Sequence, residues 1–230
     1  MKKLAYAVVA AGLAGVSGLV MAAEESSPHS LTSNLGFFSD YAFRGVSQTD
    51  EDPAIQGGFD YAHASGFYLG TWGSNVEFGD ASMEWDVYGG YSGKIAGDLG
   101  YNVGLLQYFY PGLSDADTLE VYAGLTWKGF GLKASYSTTD YFGAADSDGT
   151  IYWDASFNYE LPAAVVLGLH YGYTAGEGAQ ADYADWKVGV SKEFGGFNFG
   201  LAYVATDGDG EKLYGKYADD RVIVSVGKTF

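Results

Sequence analysis

Cysteine is absent from this 230-residue chain, proline occurs four times, and 12 Lys and Arg stand against 29 Asp and Glu. Without cysteine there is no disulfide framework, no thiol nucleophile and no thiolate-bound metal. With a formal charge of −17 the chain lacks the clustered cations that bind phosphate backbones, so no nucleic acid is expected as a partner. Beyond residue 23 no apolar run approaches the roughly 20 residues of a membrane helix. What the chain has in abundance is 35 Gly, 20 Tyr, 14 Phe and 5 Trp. Glycine at about twice its usual share, with so many aromatics, fits neither a disordered chain nor a helix-rich fold.

The first residues read as an export leader. Lys2 and Lys3 form a short basic start, Leu4 to Val20 an apolar stretch of small residues, and Val20-Met21-Ala22-Ala23 a cleavage site. An uncleaved membrane anchor is the alternative, but the stretch is rich in Ala and Gly and Glu24-Glu25 follow at once. A signal peptide spanning 1–23, cut after Ala22 or Ala23, is therefore expected, leaving 24–230 as one exported domain.

Along that domain the pattern has period two, which reads as β-strand. Ile151, Trp153, Ala155, Phe157 and Tyr159 alternate with Tyr152, Asp154, Ser156 and Asn158. Val165, Leu167, Leu169, Tyr171 and Tyr173 alternate with Val166, Gly168, His170 and Gly172. About twelve such segments follow one another, near 30–44, 54–63, 67–75, 82–93, 99–110, 118–127, 130–139, 150–160, 164–174, 183–194, 197–206 and 220–230. Leu106 and Gln107 break the alternation, so a bulge is expected there. Tight connections such as Lys128-Gly129 and Gly195-Gly196 alternate with longer acidic ones, as at Gly45 to Pro53, Phe142 to Gly149 and Asp207 to Asp219. Short turns at one rim and long loops at the other predict an all-β fold, a transmembrane antiparallel up-and-down β-barrel of about 12 strands.

A soluble sandwich shares the period with its faces inverted. Three features favour the membrane orientation. Aromatics gather at strand ends, with Phe67, Trp127, Phe130, Tyr159, Phe194 and Phe197 at the short-turn rim, and Tyr41, Phe43, Trp72, Trp85, Trp153 and Trp186 towards the loop rim. Asp86, Asp154 and Asp185 stand beside tryptophans in mid-strand, as an acid inside and an aromatic against lipid would. The leader and the absent cysteines suit the bacterial envelope. Outer-membrane lipid and lipopolysaccharide are the expected surroundings. The closing strand, Arg221 to Phe230, resembles the last strand of outer-membrane barrels, whose terminal aromatic the barrel-assembly machinery recognises, and the resemblance implies that machinery as a partner.

Several motifs carry a family resemblance. Ser39-Asp40-Tyr41-Ala42-Phe43-Arg44-Gly45-Val46-Ser47-Gln48-Thr49, Ser74-Asn75-Val76, Glu84-Trp85-Asp86-Val87-Tyr88-Gly89-Gly90-Tyr91 and Tyr108-Phe109-Tyr110-Pro111-Gly112 resemble the TorF-type porins of proteobacteria across essentially the whole domain. The resemblance implies an outer-membrane barrel acting as a porin and carries over no functional residue.

If the apolar faces meet lipid, the charged inward residues near the loop rim are the candidate pore lining: Asp40 and Arg44 on the first strand, Glu84 and Asp86 on the fourth, and Glu120 on the sixth. Asp154 follows on the eighth, Asp185 and Lys187 on the tenth, and Arg221 on the twelfth. Acids alone on strands four to eight, facing mixed charges from ten round to one, predict a constriction with a transverse field that passes small polar solutes and leans towards cations. The alternative is an interior of salt bridges that closes a structural or adhesin-like barrel. A lipid hydrolase would need a Ser–His pair near the rim. His29 and His63 lie at the ends of segments, and His170 sits mid-strand facing inward. No catalytic residue, cofactor or metal is expected. Asp207-Gly208-Asp209-Gly210-Glu211 starts like an EF-hand, but Lys212 and Ala218 occupy the positions that need Gly and Glu.

Overall fold

The computed structural model describes residues 27–230, and the expected leader lies outside them. Among these residues twelve strands close into one antiparallel barrel in which each pairs with its chain neighbours and the first pairs with the last. They are β1 (His29–Phe38), β4 (Ala54–His63), β5 (Phe67–Phe78), β6 (Ala81–Ala96), β7 (Leu99–Phe109) and β8 (Thr118–Trp127). The circuit continues through β9 (Phe130–Ser137), β10 (Ile151–Leu161), β11 (Val165–Ala175), β12 (Tyr183–Phe194), β13 (Phe197–Thr206) and β14 (Arg221–Thr229). Between β1 and β4 lies a small hairpin, β2 (Ala42–Phe43) and β3 (Val46–Ser47), outside the barrel sheet. One helix, α1 (Gly208–Tyr214), lies in the last long loop, where the Asp207 carboxylate caps it by accepting from the Asp209 and Gly210 amides. The acidic run there starts a helix.

Side-chain parity sets the two faces. Trp153 is 46% exposed and Leu169 39%, whereas Asp185 on the opposite face is 1% exposed. Leu69, Leu105, Val121, Leu132, Val188, Leu201 and Val224 join the outer belt. Such a belt is what a wall against hydrocarbon requires, since only the inner face can then hold polar groups. Aromatics flank it: Trp127, Phe130, Phe157 and Tyr159 form a run of ring contacts at the short-turn rim, and Trp85 stacks on Phe109 at the loop rim. Three expected girdle members are not there. Tyr41 and Phe43 lie buried on the inserted segment, and Trp72 faces inward, where its ring meets Tyr41 edge-on at 5.6 Å.

The inner wall explains why glycine and tyrosine are both abundant. A Cβ on Gly90 would stand 2.5 Å from the Tyr68 hydroxyl, and one on Gly104 2.5 Å from that of Tyr122. Tyr88 lies across Gly70 in the same way, and Tyr152 across Gly172. At each of these positions an inward tyrosine occupies the space that any Cβ would need. The Tyr68 and Tyr122 hydroxyls meet at 2.5 Å, and Tyr68 also donates to Asn102 at 2.6 Å.

Three expectations about the strands are corrected. The first segment ends at Phe38, because Ser39 still bonds Val224 through both backbone and side chain but Asp40 turns the chain inward by accepting the Ser47 and Thr49 hydroxyls. The strict alternation of short and long connections fails between β5 and β6, whose ends extend until only Gly79 and Asp80 remain. No bulge forms at Leu106 and Gln107. Register with β8 runs unbroken there, Leu106 faces inward among tyrosines, and the outward Gln107 amide bonds backbone carbonyls. The register shifts instead at Asn75/Phe78 and Lys94/Ala96.

The orientation makes a quantitative prediction. Leu201→Arg, at the middle of the outer belt, should destabilise the barrel folded in bilayers by about 2–4 kcal/mol, measured by reversible urea unfolding from lipid vesicles. An unchanged midpoint would contradict the lipid-facing assignment.

Candidate functional site: a hairpin plugged into the lumen

Residues 39–53 leave the barrel wall and fold back into its loop end. Every residue from Tyr41 to Thr49 is buried. The hairpin turns at Arg44 (φ 49°) and Gly45 (φ 82°), both left-handed. The turn is pressed against the wall, since a Cβ on Gly45 would come 2.7 Å from that of Asp185 and 2.6 Å from the Thr206 methyl. The turn fixes where the Arg44 side chain goes.

Arg44 crosses to β8. One guanidinium nitrogen donates to both Glu120 oxygens at 2.8 and 2.9 Å, and the other donates to the Tyr141 hydroxyl at 2.9 Å. Its plane lies 4.1 Å over the centre of the Tyr152 ring and 4.7 Å from that of Phe43. Tyr183 donates to the Arg44 carbonyl at 3.1 Å. Burial opposes the guanidinium charge, but Glu120 and the surrounding phenols outweigh it and hold the pKa well above the ordinary value.

Two further anchors fix the segment. Glu84, fully buried, accepts from the Tyr41 hydroxyl at 2.9 Å and from the Tyr110 hydroxyl at 3.0 Å. Burial and then the Glu84 charge raise both phenol pKa values, so both rings remain proton donors. Asp40 accepts from Arg221 of β14 at 3.0 Å, and Arg221 also donates to the Tyr217 and Asp219 carbonyls of the last loop. On the exposed side Lys216 reaches Asp50 at 2.6 Å.

The candidate residues therefore fall into three groups. Asp40, Arg44, Glu84, Glu120 and Arg221 form the anchoring network. Asp86, 2% exposed on β6 beside Glu84, has an Oδ1 without a hydrogen bond. Asp154, Asp185 and Lys187 lie on the wall formed by β10 to β12, where Asp185 backs the hairpin turn at Gly45. There Asp185 accepts from Tyr152 at 3.0 Å and meets His170 Nε2 at 2.9 Å, while Asp154 lies 3.5 Å from His170 Nδ1. Lys187 is the register partner of His170.

Two expectations about charge need correcting. Asp40 and Arg44 are not on a barrel strand but on the inserted segment. The expected separation of charge round the circumference does not hold, because the hairpin carries Arg44 across to Glu120 and because Lys133 on β9 faces inward opposite Asp154. Parity in the sequence was enough to place Lys133 inside. No sequence signal announced that Tyr141, Tyr152 and Tyr183 would converge on one arginine, since they come from three stretches far from the hairpin that carries it.

The fold and the site together define a class: a twelve-stranded membrane-type barrel with a polar interior and an inserted loop. Residues 22–230 match the family described as "Bacterial protein of unknown function (Gcw_chp)", and the chain belongs to it. No curated protein matches. Among solved structures it is similar to the KdgM porin, described in complex with disordered oligogalacturonate, with a TM-score of 0.57 at 10% identity, covering 87% of this chain and 98% of that one. It is likewise similar to the NanC porin, with a TM-score of 0.56 at 12% identity and coverage of 87% and 98%. At these identities the shared property is the barrel fold.

The anchoring network can be tested by a mutant cycle. Arg44→Met leaves Glu120 buried with only the Tyr108 hydroxyl, at 3.4 Å, still in reach. It should cost about 3–5 kcal/mol, whereas Arg44→Met with Glu120→Leu should recover most of that loss. Urea unfolding of the two variants is the measurement, and equal losses would show that the ion pair does not anchor the hairpin.

Proposed function

We propose that this protein is a narrow outer-membrane porin of the TorF type, passing small polar solutes passively, and that the 39–53 hairpin closes or narrows its loop end at rest. The observation that carries the reading is the closed barrel with an apolar outer wall and a charged, hydroxyl-lined inner wall. Similarity in fold to two porins over nearly their whole length supports it. The chain reaches the bacterial outer membrane by a cleaved leader, sits among lipid and lipopolysaccharide, and is inserted by the barrel-assembly machinery through its closing strand.

The reading is non-enzymatic. His170, the one histidine within the lumen, has Tyr152, Asp185 and Asp154 at its ring nitrogens, where a hydrolase would place a serine. The lean towards cations rests on Asp86, whose carboxylate has no arginine partner, while Glu120 and Asp40 are paired with Arg44 and Arg221.

The plugged loop end also favours a second reading, a closed structural or adhesin-like barrel. Planar-bilayer recording separates the two. A porin should conduct, and replacing residues 40–52 by a short Gly/Ser link should raise the unitary conductance several-fold. If neither the natural chain nor the shortened one conducts, the porin reading is wrong and the closed barrel stands. In a conducting channel Asp86→Asn should move the reversal potential in a salt gradient towards zero, and an unmoved potential would remove Asp86 from the ion path.

A further inference from the structure

At the opposite rim two histidines stand side by side on the outer wall. His29 of β1 and His63 of β4 are direct register partners on the same face, with ring centres 5.1 Å apart and ring planes inclined by 53°. Both ends of the pair are held, since beyond it the Ala64 amide donates to the Pro28 carbonyl at 2.8 Å. We propose that His29 and His63 form a binding site for a divalent transition-metal ion that prefers imidazole, of the Cu²⁺ or Zn²⁺ type.

The spacing supports it. An ion about 2.1 Å from an imidazole nitrogen lies roughly 3.2 Å from the ring centre, and a tetrahedral angle then sets two ring centres about 5 Å apart. The observed 5.1 Å matches that separation. In a metal-bound histidine the other ring nitrogen donates to an outer partner, and a hydroxyl that can accept stands beside each Nδ1. His29 Nδ1 is 2.6 Å from the Tyr61 hydroxyl and His63 Nδ1 is 2.8 Å from the Ser65 hydroxyl, which turns both Nε2 atoms away from those contacts. The Ser65 amide also donates to His63 Nδ1 at 3.1 Å. When the ion takes Nε2, the His63 proton moves to Nδ1, the amide contact is given up and the Ser65 hydroxyl becomes the acceptor.

Among the described residues no third His, Cys, Asp or Glu joins them, so water completes the coordination. The site is then an open one, able to exchange its ion or share it with a group on another molecule. It stands on the barrel wall and is independent of whether the lumen conducts.

The test is Cu²⁺ titration of the tag-free, chelator-stripped full barrel in detergent, followed by electron paramagnetic resonance. One equivalent of Cu²⁺ should bind with the splitting of two nitrogen ligands. His29→Ala and His63→Ala should each weaken binding at least about tenfold and lose one nitrogen, while His170→Ala should leave the signal unchanged. Both substituted side chains lie on the outer wall, and retention of the folded barrel is checked by its heat-dependent gel mobility. Absence of stoichiometric binding, or binding that survives either His29→Ala or His63→Ala, would overturn the proposal.

Discussion

A carboxylate buried on the inner wall of a closed sheet is costly unless hydrogen bonds or opposite charge meet it, and at Glu84 and Glu120 that cost organises the loop end of this barrel. Glu120 and Glu84 sit on adjoining parts of the wall where water is nearly excluded. Leaving either unmet costs about 3–5 kcal/mol, which offsets part of the entropy of ordering the loop that meets it. The 39–53 segment supplies what they need: a guanidinium for Glu120 and a phenol for Glu84, with Tyr110 as the second donor. The same segment brings its own carboxylate, Asp40, and places it against Arg221. The plug is thus a consequence of where the acids are.

The composition acquires a mechanical meaning in this setting. Phenol rings that lie flat over Gly70, Gly90, Gly104 and Gly172 thicken the inner wall without pushing the strands apart. They also bring hydroxyls to acids that backbone groups cannot reach, as Tyr88 does for Asp60 and Tyr152 for Asp185. An inner wall lined in this way is polar and carries its bulk close to the strands. The arginine at its loop end is held on several sides by aromatic faces. Any opening there must break stacking and charge contacts together.

Much of the barrel could be read from the chain because the rule that governs it is local. Trp153 and Asp154 differ in parity, and parity alone sends one to the belt and the other to the lumen. All twelve strand segments follow from that rule. It fails where a segment stops being a strand while keeping a strand-like pattern. Ser39 to Arg44 alternates well enough to extend β1, and only the bonds of Asp40 to Ser47 and Thr49 reveal the turn inward. For the same reason Tyr41 and Phe43 have the pattern of interfacial aromatics but lie buried. Trp72 has the inward parity, but its size and its place near the rim suggested lipid; its actual neighbour, Tyr41, arrives from the inserted hairpin.

The sequence by itself determined a closed sheet of about twelve strands in chain order and which face of each meets hydrocarbon, because alternation and turn chemistry act between neighbours along the chain. Only the tertiary structure decided which charges meet. Arg44 and Glu120 are 76 residues apart, and Arg221 and Asp40 are 181. Pairings at that separation depend on the curvature of the closed wall and on a hairpin that crosses it. Neither leaves a periodic trace, so nothing in the order of residues shows that Glu84 and Glu120 are the sockets that hold a loop in place.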